Sequence, residues 1–419
     1  PHDPLRRQRQ MCIRDSKTIY KNKKFHHQSP ISQLDFNHPL YVLYSSGTTG
    51  LPKCITHGHG GSLLQHLKEL SLHTNVKKTD KMFFLTTCGW MMWNWTVSNL
   101  LLGSSIVIYD GSPFYPKVDR IINLTKKTKS TMLGAGAKIY ENIQNNYKSK
   151  KINILKNLKC FISTGSPLSP ETFKFMNKKL NSKSFIHSVS GGTDIVSCFM
   201  LGVPTLPVYA GEIQGPGLGM NIDIFNEKGK STKSTGELVC KTPFPSKPVY
   251  FWNDKNFSKY KSAYFNKFKN IWSHGDYVKK TINGGYIIYG RSDATLNPGG
   301  VRIGTGEIYN SLQKFDWIVD CLATGFITDN DEKIILFLKS TLTKRPYNFE
   351  ETIKKHLKST LSPRHVPWRT YVIKDIPRTK SGKNSEILVK KIINNDKVQN
   401  LGALANPESV QEYKSLKIK

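Results

Sequence analysis

The sequence predicts an α/β protein: a large domain of βα layers, a small β subdomain within it, and a smaller α+β domain at the C-terminal side. Three observations lead to this prediction. The length of 419 residues exceeds the size at which a single hydrophobic core stops growing. Between residues 39 and 189, apolar runs alternate with segments of helical periodicity, which is typical of βα units. After about residue 205, short strands and turns replace this alternation.

The first predicted strand, PLYVLYS at 39–45, is rich in β-branched and aromatic residues, which suits a buried strand. Leucines at helical spacing then predict a helix at 62–73. The alternation continues with strands MFFLTT, SIVIYD, CFIST and SFIHSV, and with helices at 94–102, 118–125 and from Pro170 onward. Ser169 and Pro170 are the residue types that begin helices most often.

The β subdomain is predicted from the short strands NIDIF and GELVC and from a hairpin in which Asn283-Gly284 separates YVKKTI from GYIIYG. A polar, Gly-rich joint, GRSDATLNPGGVRIGTGEIY at 290–309, follows. Beyond it, the strands IVDCLATGF and KIILFLKS and a helix at 352–360 predict a second α/β unit. We therefore predict a domain boundary close to Asp293.

Composition limits the classes of protein that the chain can belong to. The net charge is +32, but the lysines are spread along the whole chain and no nucleic-acid-binding motif accompanies them, so we expect no specific nucleic-acid site. No apolar run is long enough to span a membrane. The seven cysteines are widely spaced and form no CxxC pair, which favours free thiols in a cytoplasmic protein.

The stretch YVLYSSGTTGLPKCITHGHGG carries the strongest chemical signal. A Walker A loop needs GxxxxGK[ST] and a Rossmann loop needs GxGxxG, and neither spacing is present. Glycine amides, several hydroxyl donors and Lys53 are nonetheless the groups that bind phosphate without steric bulk. Cys54, His57 and His59 lack the fourth ligand of a zinc site. The residues favour a phosphate-binding loop over a plain structural turn.

Six motifs occur in a fixed order: YSSGTTGLPK, STGSPLSPE, SGGTD, HGDY, GRSDATLNPGGVRIGTGEIY and PRTKSGK. This series resembles the core motifs of the adenylate-forming acyl-CoA synthetase superfamily. The stretches TTCGWMMWNWTVSNLLLGSSIVIYDGSP, LPVYAGEIQ and SPRHVP are further similar to the acetoacetyl-CoA synthetase family within it. The resemblance runs from about Pro39 to the C-terminal tail and lacks the family's long part before the glycine loop.

The resemblance implies an ATP-dependent, AMP-forming ligase that activates acetoacetate as an acyl-adenylate and transfers it to coenzyme A, the co-substrate. ATP and Mg²⁺ are the implied cofactors. It also implies that 39–292 is an incomplete AMP-binding domain, 293–400 a mobile lid domain and 401–419 a tail. Residues 1–16 hold four of the chain's eleven arginines, so we expect this segment not to be native, and 17–38 to be a polar approach segment.

The same resemblance implies roles for individual residues. Lys383 and Arg302 act on the transferring α-phosphate, Asp276 and Arg291 hold the ribose, Asp293 is the hinge, and Asp194 contacts the metal. The triphosphate loop comprises Ser46, Gly47, Thr48, Thr49, Gly50 and Lys53. The adenine is lined by Gly165, Ser166, Pro167, Ser190, Gly191, Gly192 and Thr193. Gly299 and Gly300 lie along the coenzyme A arm.

The acyl pocket is predicted at Trp90, Met91 and Gly191, with Met92, Trp93 and Trp95 extending the apolar wall. Acetyl-CoA synthetases place a tryptophan where this chain has Gly191, so we expect a larger pocket. Two alternatives stay open: a synthetase for propionate or butyrate, and an inactive or nucleic-acid-binding basic module. The sequence leaves the oligomeric state open.

Overall fold

The computed structural model describes residues 32–45, 53–328, 331–341, 345–379, 382–398, 401–416 and 418. The chain divides into two units, 1–35 and 36–419, and the description below concerns the second. None of the helices in the described ranges is both long and apolar enough to cross a membrane.

The strands are β1 (Pro39–Ser45), β2 (Lys53–Gly58), β3 (Lys81–Phe84), β4 (Ser105–Val107), β5 (Met132–Gly136), β6 (Cys160–Thr164), β7 (Phe185–Ser188), β8 (Ser190–Gly192), β9 (Ser197–Leu201), β10 (Gly215–Pro216), β11 (Ile222–Phe225), β12 (Gly236–Cys240), β13 (Tyr250–Phe251), β14 (Trp272–Lys280), β15 (Tyr286–Arg291), β16 (Ile318–Ile327), β17 (Glu332–Ser340) and β18 (Arg369–Val372).

The α-helices are α1 (His59–Lys68), α2 (Met92–Val97), α3 (Arg120–Lys127), α4 (Ala137–Asn146), α5 (Pro170–Phe175), α6 (Ser258–Phe265), α7 (Thr305–Leu312), α8 (Phe349–Thr360), α9 (Glu386–Ile393) and α10 (Val410–Ser415). Glu69–His73 and Met176–Leu180 form π-helical turns, and 3₁₀ turns occur at Ser98–Leu102, Ser292–Ala294, Pro298–Gly300, Pro363–His365, Leu401–Ala403 and Pro407–Ser409.

A five-stranded parallel sheet with the order β4-β3-β5-β6-β7 forms the centre of the large domain and confirms the α/β prediction. Apolar clusters cover the sheet, and strand residues such as Phe83, Phe161 and Ile162 are buried among them. Helix α5 begins as predicted, since the Ser169 hydroxyl accepts a hydrogen bond from the Thr172 amide at 3.2 Å. The carboxyl ends of the parallel strands point toward one edge, where ligands bind in open α/β sheets.

The prediction that PLYVLYS is the first, buried strand of this sheet is wrong. Strand β1 pairs antiparallel with β2, with Tyr44 opposite Cys54, and β13 completes a separate three-stranded sheet. One face of β1 is open, with Val42 39% and Tyr44 69% exposed. Because β2 begins only eight residues after β1 ends, the chain forms a hairpin here and not a βα crossover.

Some elements of the sheet and of the polar joint at 290–309 were not predicted. Strand β5 and helix α4 were not predicted. The strand sequence MLGAG contains two glycines, which weaken the strand signal. Gly134 is nonetheless required: a Cβ there would lie 2.1 Å from the Phe84 ring. Helix α7 lies partly within the predicted polar joint at 290–309.

The β subdomain and the C-terminal unit follow the predictions more closely. The order β11-β12-β14-β15 forms an antiparallel sheet, and β14 and β15 are the predicted hairpin, with Gly284 at φ +85° in its turn. Strands β16, β17 and β18 form a further sheet. The part of the chain after residue 295, which includes this sheet, is called the C-terminal unit below. Among the described residues, no apolar cluster contains members from both sides of the 287–295 stretch.

Candidate active site

The candidate site lies where four separate parts of the chain meet: the start of β2, the turn at 192–194, the β14–β15 hairpin and the loop before α9. Each part belongs to a different structural element, so only the tertiary fold brings their charged groups together. The predicted loop residues Ser46, Gly47, Thr48, Thr49 and Gly50 lie outside the described residues.

Lys53 is the first residue of β2, and its ammonium lies 2.5 Å from Oδ1 of Asp194. The Tyr264 hydroxyl donates to the same oxygen at 2.6 Å. Desolvation favours the neutral acid, but the Lys53 ammonium, His274 and the Tyr264 hydroxyl together outweigh it and hold the pKa of Asp194 well below its usual range. Asp194 is therefore an ionised carboxylate at the edge of the cleft.

His57 connects β2 to the turn that carries Asp194. Its Nε2 lies 2.9 Å from the backbone oxygen of Thr193, and the side chain is almost completely buried. Burial lowers the pKa of His57 to about 4, so the ring is neutral at physiological pH. The predicted adenine turn is thus fixed by a buried, uncharged histidine.

The β14–β15 hairpin supplies the predicted ribose group. Asp276 and Arg291 are opposite each other in the strand register, and Arg291 Nη1 donates to Asp276 Oδ1 at 3.0 Å. The same nitrogen donates to the backbone oxygen of His274 at 2.9 Å. Desolvation opposes the charge of Arg291, but Asp276 and Asp293 raise its pKa further. Asp276 is buried and its carboxylate is already oriented before any ligand binds.

The backbone beside Asp276 is shaped by two further residues. Gly275 has φ +82°, and a Cβ at this position would lie 2.5 Å from Arg291 Nη2. The Gly275 amide donates to the buried carboxylate of Glu237 at 2.9 Å. The glycine of HGDY is therefore needed for the close approach of the guanidinium.

Lys383 comes to the same cleft from the C-terminal unit. Desolvation by the surrounding groups lowers its pKa, Asp276 acts in the opposite direction, and Arg291 lowers it again. Lys383 keeps exposed surface, and its charge interacts with those of Asp276, Arg291 and Asp194. Its loop is held by Thr379, whose hydroxyl accepts from the Lys383 amide at 3.1 Å, and by Arg378, which donates to the Gly382 oxygen at 2.6 Å.

The predicted adenine loop and pocket wall lie at the carboxyl ends of neighbouring strands. Gly165 follows β6 with φ +86°, and a Cβ there would contact the Trp90 ring at 3.6 Å. Ser166, Pro167 and Trp90 are half-buried. Met91, Met92 and Trp95 are buried in the apolar cluster beneath, and Trp95 donates to Glu69 at 3.0 Å. Trp90 and Trp93 are therefore the predicted wall residues that keep exposed surface.

The prediction that Gly191 enlarges the acyl pocket stays a prediction, and the structure gives a separate reason for glycine at this position. A Cβ at Gly191 would lie 2.1 Å from the Ser197 oxygen and 2.3 Å from Cys198 Cα, which are both backbone atoms of the adjacent strand β9. The glycine is required because β8 and β9 approach each other closely. Gly192, by contrast, lies beside the His274 ring, whose Nε2 would be 3.8 Å from its Cβ.

The predicted residues Arg302, Asp293 and Gly299 lie apart from the paired charges at the site or at their edge. Arg302 pairs with Glu227 at 2.8 Å, and none of the hydrogen bonds or ion pairs described joins it to Asp276 or Lys383. Asp293 lies 3.6 Å from Arg291 Nε within the 3₁₀ turn after β15. The Gly299 amide donates to the Asp331 carboxylate at 2.7 Å. The surroundings of Gly300 lie outside the described part of the structure.

Sequence reasoning missed Tyr264 and His274. Tyr264 lies in a lysine-rich helix, SKYKSAYF, in which nothing marks one tyrosine above another. His274 belongs to the HGDY motif, but its position beside Gly192 and its contact with Asp276 Oδ2 at 3.7 Å appear only in the fold. Both residues join elements that are far apart in the chain.

The residues present fit a magnesium ion that is held mainly by nucleotide phosphates. Asp194 is an ionised oxygen donor at the cleft, and Mg²⁺ in such sites typically takes one or two carboxylates and completes its shell with phosphate and water. No group of three or more His, Cys, Asp or Glu side chains that could hold a metal occurs within the described ranges. A dedicated protein cage for the ion is therefore not present in that part of the chain.

Comparisons with known proteins identify the family of the chain. Residues 4–250 match the family model described as AMP-binding enzyme. The chain is 46% identical over 390 residues to the acetoacetyl-coenzyme A synthetase of Rhizobium meliloti (strain 1021), covering 92% of this chain and 60% of that protein. It is 44% identical over 397 residues to the acetoacetyl-CoA synthetase of Gallus gallus, covering 93% and 59%.

A solved structure, acetoacetyl-CoA synthetase from Streptomyces lividans, superposes with a TM-score of 0.86 at 37% identity, covering 94% of this chain and 62% of that one. The chain thus spans about three fifths of the length of the relatives that it matches. The superposition agrees with the α/β architecture described above.

Proposed function

Because the chain belongs to the AMP-binding enzyme family, we propose that it is an acid–thiol ligase that activates acetoacetate with ATP and transfers the acyl group to coenzyme A. The observation that carries this proposal is the convergence of Lys53, Asp194, Asp276, Arg291 and Lys383 on one cleft. The names of the relatives support acetoacetate as the acid.

The proposed reaction has two steps. An acetoacetate oxygen attacks the α-phosphorus of ATP, the bond to the bridging oxygen of the β-phosphate breaks, and pyrophosphate leaves. The thiol sulfur of coenzyme A then attacks the acyl carbon, its proton is lost, and AMP leaves. Both steps depend on placing charged groups where negative charge develops.

Asp276 is suited to accept hydrogen bonds from both ribose hydroxyls because Arg291 holds its carboxylate from one side. The Lys53 ammonium is available to the β- and γ-phosphates once these compete with Asp194 for it. Lys383 is suited to neutralise charge on the α-phosphate and the attacking carboxylate. Arg302 would have to leave Glu227 to join them.

Magnesium, when bound, would neutralise charge on the phosphate oxygens, and Asp194 is the residue that would hold it. The carboxylate is ionised, and its present partner Lys53 is a cation that the phosphates would attract away. The protein's own contribution is to orient this carboxylate.

We further infer that the residues from about 293 onward form a lid that carries Lys383. The apolar clusters on either side of this position are separate. Contacts between the two parts include polar ones, such as Gln313 Nε2 donating to Glu141 Oε1 at 3.4 Å. Separate apolar packing on the two sides permits the rotation that two different half-reactions require.

A cytoplasmic location is part of the proposal. It is supported by five cysteines within the described ranges that are free thiols: Cys88, Cys160, Cys198, Cys240 and Cys321. Cys160, Cys198, Cys240 and Cys321 are buried, and burial raises the pKa of Cys321 to about 12. Unpaired thiols are typical of reducing compartments.

The test is acid-dependent exchange of labelled pyrophosphate into ATP, with acetoacetate, acetate, propionate and butyrate compared on the same protein. We expect the fastest exchange with acetoacetate and a loss of at least about 100-fold in Lys383→Ala, as for other groups that stabilise transition-state charge. Lys374→Ala, at an exposed lysine of the same unit, is the matched control.

Faster exchange with propionate or butyrate than with acetoacetate would show that this acid, and not acetoacetate, is the preferred substrate. Absence of exchange with every acid, from protein shown to be folded, would contradict the proposed activity for these 419 residues.

A further inference from the structure

Tyr264 contacts both members of the Lys53–Asp194 pair. Its hydroxyl donates to Asp194 Oδ1 at 2.6 Å, and the Lys53 ammonium lies 4.9 Å from the centre of its ring. The residue is 2% exposed and lies near the end of α6, about seventy positions from Asp194 in the chain. No motif in the sequence includes it.

The ring of Tyr264 is itself held rigidly. It stacks on the Trp272 indole with 3.7 Å between ring centroids and 14° between planes, and it packs edge-on against Phe251 at 5.7 Å. Trp272 begins β14, the strand that also carries Asp276. Tyr264 therefore connects the ribose strand to the turn of Asp194 through a side chain that cannot change its rotamer without breaking the stack.

We propose that Tyr264 is a positioning residue that holds the Asp194 carboxylate and the Lys53 ammonium in the orientation that ATP binding requires. The inference rests on the proposed nucleotide roles of Lys53 and Asp194.

The physical reason is that ordering a charged side chain costs conformational entropy unless the fold already holds it. A lysine has a flexible four-carbon stem, and fixing it costs conformational entropy. Lys53 and Tyr264 both donate to one oxygen of Asp194. Two donors restrict the orientation of the Asp194 carboxylate group more than one donor does. The face of the ring gives the ammonium a second attractive surface. ATP then meets an ammonium and a carboxylate that are already ordered, so binding costs less entropy when the phosphates draw the ammonium from Asp194.

Tyr260 is a second buried tyrosine of the same helix, and its hydroxyl makes no hydrogen bond within the described residues. It lies one turn earlier on α6, is 6% exposed and packs against the same Trp272 ring at 6.5 Å. Its hydroxyl oxygen has no hydrogen-bond partner among the described residues. The two tyrosines therefore differ in what the hydroxyl does, and Tyr260→Phe is a matched control for Tyr264→Phe.

The first experiment measures the Kd of ATP by calorimetry and the KM values of ATP and acetoacetate by pyrophosphate exchange in both variants. Tyr264→Phe keeps the stacked ring and loses only the hydroxyl, and we expect its Kd and KM for ATP to rise about tenfold, in line with a hydrogen bond to a charged group. The KM for acetoacetate should change less than about twofold. Tyr260→Phe should leave all three constants unchanged. Equal behaviour of the two variants, or a loss in kcat with unchanged ATP constants, would overturn the proposal.

The second experiment needs no nucleotide. Urea denaturation of Tyr264→Phe, Asp194→Ala and the double variant forms a double-mutant cycle. We expect the double variant to lower the midpoint by less than the sum of the two single shifts, because the hydroxyl acts through Asp194. Additive shifts would overturn the positioning role. If the unaltered protein bound no ATP, the proposed function would fail, and this cycle would still decide whether Tyr264 fixes Asp194.

Discussion

At the scale of single residues, the candidate site is a set of paired opposite charges that are oriented before a ligand arrives. Asp276 is buried with Arg291 across the hairpin, and Asp194 is paired with Lys53. Lys383 adds a cation whose pKa is lowered by its surroundings. The Lys53 ammonium helps to keep Asp194 ionised, which is the form of a carboxylate that can contact a metal.

The role of Asp276 gives a direct prediction. Asp276→Asn keeps the size of the side chain but removes its charge, so the pair with Arg291 and the strong acceptor for the ribose are both lost. We expect the KM for ATP in pyrophosphate exchange to rise about 10- to 100-fold, as for a hydrogen bond to a charged group. Asp396→Asn, at an exposed turn, should leave the KM unchanged. An unchanged KM for ATP in Asp276→Asn would contradict the ribose role.

At the scale of elements, close contacts between backbones decide where glycine is required. Strands β8 and β9 approach so closely at Gly191 that no side chain fits. The turn after β8 carries Asp194, so this close approach sets the position of a site residue. The loop before α9 is held in a comparable way by Arg378, which bridges Asp320 and the Gly382 oxygen.

Gly191→Ala tests this requirement. The new Cβ would meet backbone atoms that cannot rotate away, so we expect a loss of about 1–3 kcal/mol in the free energy of unfolding, as for other overpacked positions. Gly89→Ala is the control, because the nearest atom to a Cβ at that glycine is a threonine hydroxyl at 4.0 Å. Urea denaturation measures both variants, and equal stability of the two would show that β8 can move aside.

The start of α9 carries a titrating group close to Lys383. Desolvation raises the pKa of Glu386 from 4.5 to about 7, with Asp293 adding to the effect and the Tyr309 hydroxyl, at 3.2 Å, opposing it. The folded protein therefore binds this proton more tightly than the unfolded chain does. The stability contributed by the protonated carboxyl is full below pH 4.5 and is lost as the pH rises to about 7.

Glu386→Gln removes the titration and keeps the shape. We expect the urea midpoint of the variant, relative to the unaltered protein, to increase between about pH 4.5 and 7 and to stay level above that range. Denaturation curves at half-unit pH intervals measure the difference. A difference that does not vary with pH would show that the carboxyl titrates at its ordinary value.

At the scale of the whole molecule, the chain combines two separately packed apolar regions with a large positive charge. The net charge of +32 creates a field that attracts anions, and all the proposed substrates are anions. This field acts over distances comparable to the Debye length, which is about 10 Å at 0.1 M salt. Association with the more highly charged substrate should therefore be the more sensitive to salt.

We accordingly expect kcat/KM for ATP to fall more steeply than kcat/KM for acetoacetate as sodium chloride is raised from about 10 mM to 0.2 M, because ATP carries the larger charge. Initial rates of pyrophosphate release under subsaturating conditions measure both slopes. Potassium glutamate in place of sodium chloride controls for a specific chloride effect. Equal slopes for the two substrates would exclude steering by the global charge.

The sequence by itself determined the motifs, their order and most elements of regular structure. Local signals were sufficient there: the Ser169-Pro170 helix start, the Asn283-Gly284 hairpin and the apolar strands Cys160–Thr164 and Glu332–Ser340 all depend on neighbouring residues. Asp276, Arg291, Asp194, Lys53 and Lys383 were singled out because they lie within those motifs. Their individual roles in the reaction stay predictions.

Only the tertiary structure decided which of these residues meet and what surrounds them. The pairing of β1 with β2, the glycine required at 191, the pairing of Arg302 with Glu227 and the contact of Tyr264 with Asp194 depend on residues distant in the chain. Local pattern cannot report such contacts, because a side chain's partners are set by the packing of whole elements. The sequence therefore identified the chemical groups, and the fold determined their geometry.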